Sequence, residues 1–448
     1  MRAILILTVL CCYSMQAQEH YAGINTSQRT GIISGALNPA ELVNITSENE
    51  ANIITFSANF TNNKMAFSQL WGDREFTDLL FDGNAPANLN ADLEILGPSF
   101  AFKKGKWAFA ITTAGKTKAN IKDINPQLGR AVIADSGVDS LAAAAAVLVD
   151  YNQSAAATTW GEIGLSAARE IYSDNGHTLN AGVTFKVLFP GSYARMYSSN
   201  FTGTIEGYTG GIGLTDASTS LNFAYSGSLG NDFTDSGNFT NYFGNGPHGF
   251  AVDFGFNYRW KQETDTGYRI NVGLSFRNLG SMKFRDSGNE SNTYVLNVPQ
   301  GEYLNLNQFA NVSTISQIEA LLLQSGYAKI TKQSNDFVAK LPAMFSLYAD
   351  VKVYNAWYIT GYLQQKLVSD VSQNQIPAQN TVTLIPRFSP GKYEFFAPLS
   401  SNEISGFAAG LGVRYGGFFI GSGSVLTALL SDGDTHQADA YLGFRWAF

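Results

Sequence analysis

Cysteine is almost absent: among 448 residues only Cys11 and Cys12 carry a thiol, and both lie in the N-terminal apolar stretch. A chain processed after that stretch keeps no cysteine, which excludes a disulfide framework, a thiol nucleophile and thiolate metal ligands together. Charged residues are scarce, at 15%, with a formal net charge of -7. That mild acidity, without a Lys/Arg cluster, argues against nucleic acid as a partner. Histidine is limited to His20, His177, His248 and His436, none at helical spacing from another, so neither a metal nor a cofactor is expected. Gly421-Ser422-Gly423-Ser424 lacks the nucleophile elbow, and Asp432, Asp434 and His436 read as a solvated turn rather than a cation site. No catalytic residue and no enzymatic activity are expected. Long apolar runs are missing beyond the N-terminus, although mean hydropathy is -0.06 and aromatics reach 13%. Apolar residues spread at alternate positions would give that combination, because a sliding window averages them away.

Met1 to Ala17 has the form of a signal peptide: Arg2, an apolar core from Ala3 to Tyr13, and a small residue ahead of Gln18. From Ala51 onward the alternation is explicit. Val252, Phe254, Phe256, Tyr258 and Trp260 interleave with Asp253, Gly255, Asn257 and Arg259; Ile270, Val272, Leu274 and Phe276 interleave with Arg269, Asn271, Gly273 and Ser275. A strand's two-residue period puts each set on its own face. The same pattern runs through Ile54 to Phe60, Trp107 to Ile111, Leu179 to Val187, Phe345 to Val353, Val382 to Phe388 and Phe407 to Tyr415. Strands of this length cross an apolar layer when tilted, and about 14 of them close without a bare edge. The expected fold is all-β: a single antiparallel transmembrane β-barrel over residues 51–448, preceded by a leader (1–17) and an N-terminal hatch or plug (18–50).

The final stretch, Ala440 to Phe448, suits the closing strand of such a barrel. Leu442, Phe444, Trp446 and Phe448 share one face, a poor sheet edge in water but a good one against acyl chains. Tyr441, Gly443, Trp446 and Phe448 also resemble the C-terminal insertion signal of outer-membrane barrels. That resemblance implies the outer membrane of a Gram-negative bacterium, with its lipid and its barrel-assembly machinery as partners.

Two segments break the strand rhythm. Asp139 to Tyr151, alanine-rich with Ser140 as a cap, and Ser313 to Tyr327, with Ile315, Ile318, Leu321 and Leu322 at three-and-four spacing, predict short helices on long loops at the outer mouth. The polar groups opposite the apolar rows, Glu162, Lys186, Asp253, Arg259, Arg269, Arg277, Asp350, Lys352, Arg414 and Arg445, are expected to face the lumen. There they either select anionic or amphipathic head groups or pair with one another; mutual pairing is favoured because both signs are present and an unpaired interior charge costs several kcal/mol.

Near the start of the hatch the run Ser-Gly-Ala-Leu-Asn-Pro-Ala-Glu-Leu ends at Leu42, with Pro39 predicting a turn or the first turn of a helix. Asn38, Pro39 and Ala40, followed by a long chain ending in Trp-x-Phe, resemble the FadL/PorV superfamily of outer-membrane barrels. The resemblance implies a hatch within the lumen to which the Asn-Pro-Ala segment belongs. It also implies one of two functions: a passive channel for small hydrophobic or amphipathic molecules, or a non-transporting barrel that docks with a protein partner in an envelope secretion or assembly complex. Glu41 stands where such relatives commonly carry glycine, and only Gly31 and Gly35 represent the glycine-rich run that commonly precedes the motif; this departure bears on how freely the hatch moves.

Overall fold

The computed structural model describes residues 20–27, 31–133, 145–148, 151–244, 246–262, 267–285, 288–369, 374–431 and 434–448. The leader, residues 1–17, and Asp432 lie outside them. No helix among the described residues is long and apolar enough to cross a membrane. The strands instead close a 14-strand antiparallel ring, the number that the alternation predicts. Asn49–Asn62 pairs on one side with Ala87–Leu96 and Ser99–Lys104, and on the other with the last strand, Gln437–Ala447. Ladders then run through Trp107–Ile124, Gln153–Asp174, His177–Tyr208, Gly249–Trp260, Ile270–Phe284 and Met344–Tyr354, and onward through Trp357–Lys366 to Phe418–Ser422.

One end of the ring carries short turns, such as Asn175-Gly176, whose positive φ angles of 47° and 81° match the twist of the strands they join. The other end carries the long loops. The outward rows are the apolar ones: Phe254 and Phe256 are 45% and 47% exposed, while Asp253 and Asn257 are at 2% and 1%. These exposed rows form a belt suited to acyl chains, and Phe256→Arg is expected to cost about 2–4 kcal/mol in a bilayer, measurable as a lowered urea midpoint for vesicle-inserted protein.

Local irregularities depart from simple alternation. A register shift between Asn52 and Ile54 turns both Ile53 and Ile54 outward, at 48% and 51% exposure, so Ile53 does not share the inner face of Thr55 and Ser57. A second shift, between Phe276 and Leu279, points Arg277 and Asn278 at groups of the inner face. The strand His177–Tyr208 is longer than the ring requires. Its first part pairs with Gly249–Trp260, and its distal part leaves the ring to pair with Gly211–Ser226, which carries Glu290–Val298 and then Ala328–Ser334. This extension stands at the loop end.

Helix Ile315–Gln324 forms within the segment expected to be helical, capped by Thr314 in a reciprocal box with Gln317. Its Glu319 accepts from the hydroxyls of Tyr225 and Tyr294, at 2.8 and 2.7 Å, and from Asn292 at 2.9 Å, which fixes the helix on the extension sheet. Burial, reinforced by that carboxylate, raises both phenols well above their ordinary pKa. The helix expected from Asp139 to Tyr151 is not formed where the segment is described. Ala145–Leu148 is a strand paired with Thr202–Ile205, and residues 139–144 and 149–150 lie outside the described residues. Alanine's helix preference is worth well under 1 kcal/mol per residue over most side chains, less than the ladder offered by the free edge of the long strand.

Candidate functional site

Residues 20–27 and 31–46 fold into the ring rather than across its mouth. Helix Ile32–Leu37 is followed by the 3-10 turn Pro39–Asn44, with Asn38 between them. The Asn38 side chain accepts from Ala40 N at 3.0 Å, capping the turn, while its amide donates to Phe256 O at 2.9 Å and to the Tyr348 hydroxyl at 3.1 Å. The wall makes room for this with three glycines on neighbouring strands. A Cβ on Gly182 would lie 2.5 Å from Pro39 C, one on Gly255 1.9 Å from Asn38 Oδ1, and one on Gly273 2.7 Å from Asn38 Nδ2. Asn38, Pro39 and Ala40 are therefore seated against the wall, and at Gly182 an added Cβ would meet the main chain of Pro39 and Ala40 directly.

Glu41 is the hub of the plug. Its Oε1 accepts from Asn257 at 2.9 Å, Asn271 at 3.0 Å and the Tyr348 hydroxyl at 2.5 Å, and its Oε2 lies 3.5 Å from Arg259 and accepts from Asn44 at 2.7 Å. Elsewhere Ile32 N donates to Glu50, Ser275 to Leu37 O, Tyr441 to Ala22 O, and Arg387 to Gly23 O. The plug thus touches inward groups on strands all round the ring.

Above it the lumen is polar and nearly full. Glu94, Lys116, Glu162, Lys186 and Asp253 form a chain of alternating sign across five successive staves: Lys116 lies 3.3 Å from Glu94 and 3.4 Å from Glu162, and Lys186 lies 3.7 Å from Glu162 and 2.7 Å from Asp253. Arg277 donates to Gln364 at 2.6 Å and Ser346 at 3.2 Å. On the opposite wall Arg387 links Asp350 to Glu394, which also meets Arg414, and Arg445 pairs with Glu50 at 2.6 Å. Arg269 is half-buried at the turn end, where its main chain bonds Trp260 and Lys352; Lys352 is buried. Among the inward groups, Asp92, Glu94, Lys116, Lys118, Arg387 and Glu394 were not singled out from sequence. For Asp92, Glu94, Lys116 and Lys118 the signal that could have found them is the same polar parity read through Ala91 to Ile95 and Ala110 to Lys118, and Arg387 sits on the polar parity of the alternating stretch Val382 to Phe388.

The chamber between these groups has a volume of about 110 Å³, room for no more than about ten waters. At the loop end a buried apolar cluster includes Trp160, Leu188, Tyr193, Phe284, Phe337 and Ile376, with Trp160 shared with the chamber lining. A second cavity, of about 250 Å³ and almost wholly apolar, lies within the extension. The extension sheet lines it with Met196, Phe201, Leu214, Leu221, Phe223 and Leu296, and its cover provides Leu128, Phe309, Ile318 and Leu322, with Gln153, Ser154 and Ser198 as its few polar neighbours. In the insertion-signal stretch Tyr441 and Gly443 face inward, and Trp446 and Phe448 outward.

Comparison with known proteins adds three findings. A family described as "Family of unknown function (DUF5723)" matches residues 41–423. No curated protein matches the sequence. Similar solved structures include the Ralstonia pickettii toluene transporter TbuX (11% identity, TM-score 0.45, covering 97% of this chain and 100% of that one), a mutant of the monoaromatic hydrocarbon channel TodX (11%, 0.49, 96% and 99%) and a Pseudomonas aeruginosa FadL homologue (10%, 0.44, 96% and 98%).

Proposed function

The chain belongs to the DUF5723 family, and from that premise we propose that this member spans the outer membrane of a Gram-negative bacterium as a plugged barrel that takes up a small hydrophobic or amphipathic molecule. The observation that carries the reading is the apolar cavity in the extension. It lies at the loop end, is partly open to the surroundings, and offers few polar partners, so it holds an alkyl or aromatic group by burial rather than by hydrogen bonding. The lumen below has the opposite character: it is charged, filled at the turn end by the plug and narrowed at the loop end by the apolar cluster. Capture and passage are therefore separate steps, and passage depends both on displacing the plug and on the apolar cluster giving way.

The test fills the cavity. With radiolabelled naphthalene and intact Gram-negative cells, the wild-type protein is expected to raise uptake above that of non-producing cells, and Leu221→Trp with Leu296→Trp to return it to that background while the barrel still assembles. Uptake unchanged by the two tryptophans would remove the cavity from the route.

A further inference from the structure

The groups that hold Glu41 make a site in their own right. Asn257 and Asn271 stand on adjacent strands of the inner wall, Tyr348 stands on the next, and all three direct a donor at one carboxylate oxygen; Arg259 faces the other oxygen. The donors are preset. Asn271 Oδ1 accepts from Asn257 Nδ2 at 2.7 Å, and Asn257 Oδ1 accepts from the wall's Asn180 at 3.1 Å as well as from Asn44 of the plug at 2.9 Å, so both amides present their N–H groups toward the carboxylate. Three neutral donors and a guanidinium converging on two oxygens have the chemistry of a carboxylate receptor.

The carboxylate now in it is supplied by the plug, whose neighbouring residues have wall contacts of their own. Gly182 makes room for the main chain of Pro39 and Ala40, Gly255 and Gly273 make room for the Asn38 side chain, and the Asn38 amide bonds Phe256 O and Tyr348; none of these contacts reads the charge of residue 41. Glu41 therefore adds a ligand-like group to a segment already fitted to the wall. We propose that the wall site is a receptor for the carboxylate of an amphipathic molecule, and that Glu41 occupies it as an intramolecular competitor, holding the plug shut until an incoming carboxylate takes its place. This deepens the uptake reading by naming the head group of the molecule carried. It shares the premise of a displaceable plug but is tested by binding, without flux.

The experiment uses the full-length protein in detergent micelles, with hexanoate and 1-hexanol as probes, both soluble enough to stay largely in water, and binding measured by saturation-transfer NMR. A site filled by its own side chain lowers apparent affinity by the fraction of time it is vacant. Glu41→Ala is thus expected to bind hexanoate about tenfold or more tighter than wild type, with 1-hexanol unchanged, and Asn271→Leu added to Glu41→Ala is expected to remove the gain. Glu41→Gln keeps the size of the side chain and removes its charge, and serves where the alanine variant assembles poorly; a smaller gain is expected from it. Equal hexanoate affinity in wild type and both variants overturns the proposal, as does an equal gain for 1-hexanol. Loss of naphthalene uptake with the hexanoate gain intact would refute the transport reading and leave the receptor standing.

Discussion

Excision of Gln18 to Leu42 is expected to expose the inner wall to water from the turn end, and the chain itself provides a clean readout. From Gln18 onward there is no cysteine, so in protein produced without residues 1–17 a single introduced thiol reports alone. Ser275 is fully buried and donates to Leu37 O at 2.8 Å. In the complete protein Ser275→Cys should resist a water-soluble thiol reagent, because labelling waits for the plug to leave. In the shortened protein it should react faster by about a hundredfold or more, the factor that corresponds to a release cost of about 3 kcal/mol. The apolar cluster of Trp160, Leu188, Tyr193, Phe284, Phe337 and Ile376 remains at the far end, so conductance across a planar bilayer should rise far less than labelling does. Equal labelling rates with and without the segment would show that it does not cover the wall.

The second large effect is on stability. Arg387 is almost fully buried between two carboxylates, Asp350 at 3.3 Å and Glu394 at 3.1 Å, the latter a charge contact off hydrogen-bond alignment, and it also donates to Gly23 O at 2.7 Å. Arg387→Met removes the partner and leaves Asp350 and Glu394 in place without water. Breaking a buried pair in this way costs about 3–5 kcal/mol, much more than any pair at the barrel's rim, where exposed partners such as Arg74 and Asp82 contribute about 1 kcal/mol or less. The variant should lose its compact electrophoretic form at a lower temperature than wild type in unboiled samples. An unchanged transition would mean that Arg414 alone neutralises the cluster.

What could be read in the sequence follows from what a strand's period encodes. Alternation at Val252 to Trp260 and Ile270 to Phe276 identifies the two faces because each side chain reports its own face, and the structure keeps that parity. Lateral neighbours are not encoded that way. The seat for Asn38 to Ala40 is built from Gly182, Gly255 and Gly273, which become adjacent only once three strands are in register. The receptor for Glu41 joins residues 216, 230 and 307 positions away. Glu41 itself was visible as a departure from the resembled pattern, but its partners were not. The long strand His177–Tyr208 hides its dual role for the same reason: nothing in its own alternation marks where it changes partner from the ring to the extension.

The seam of the barrel has its own implication for assembly. Asn49 and Phe448 exchange main-chain hydrogen bonds, N to O at 3.1 and 3.0 Å, so the strand Asn49–Asn62 is zipped to a stretch nearly 400 residues further along the chain. Joining points so distant in sequence carries a large loop-closure entropy and is slow without help. Until that ladder forms, the unclosed sheet carries two naked strand borders, and whatever escorts it must shield both of them at once.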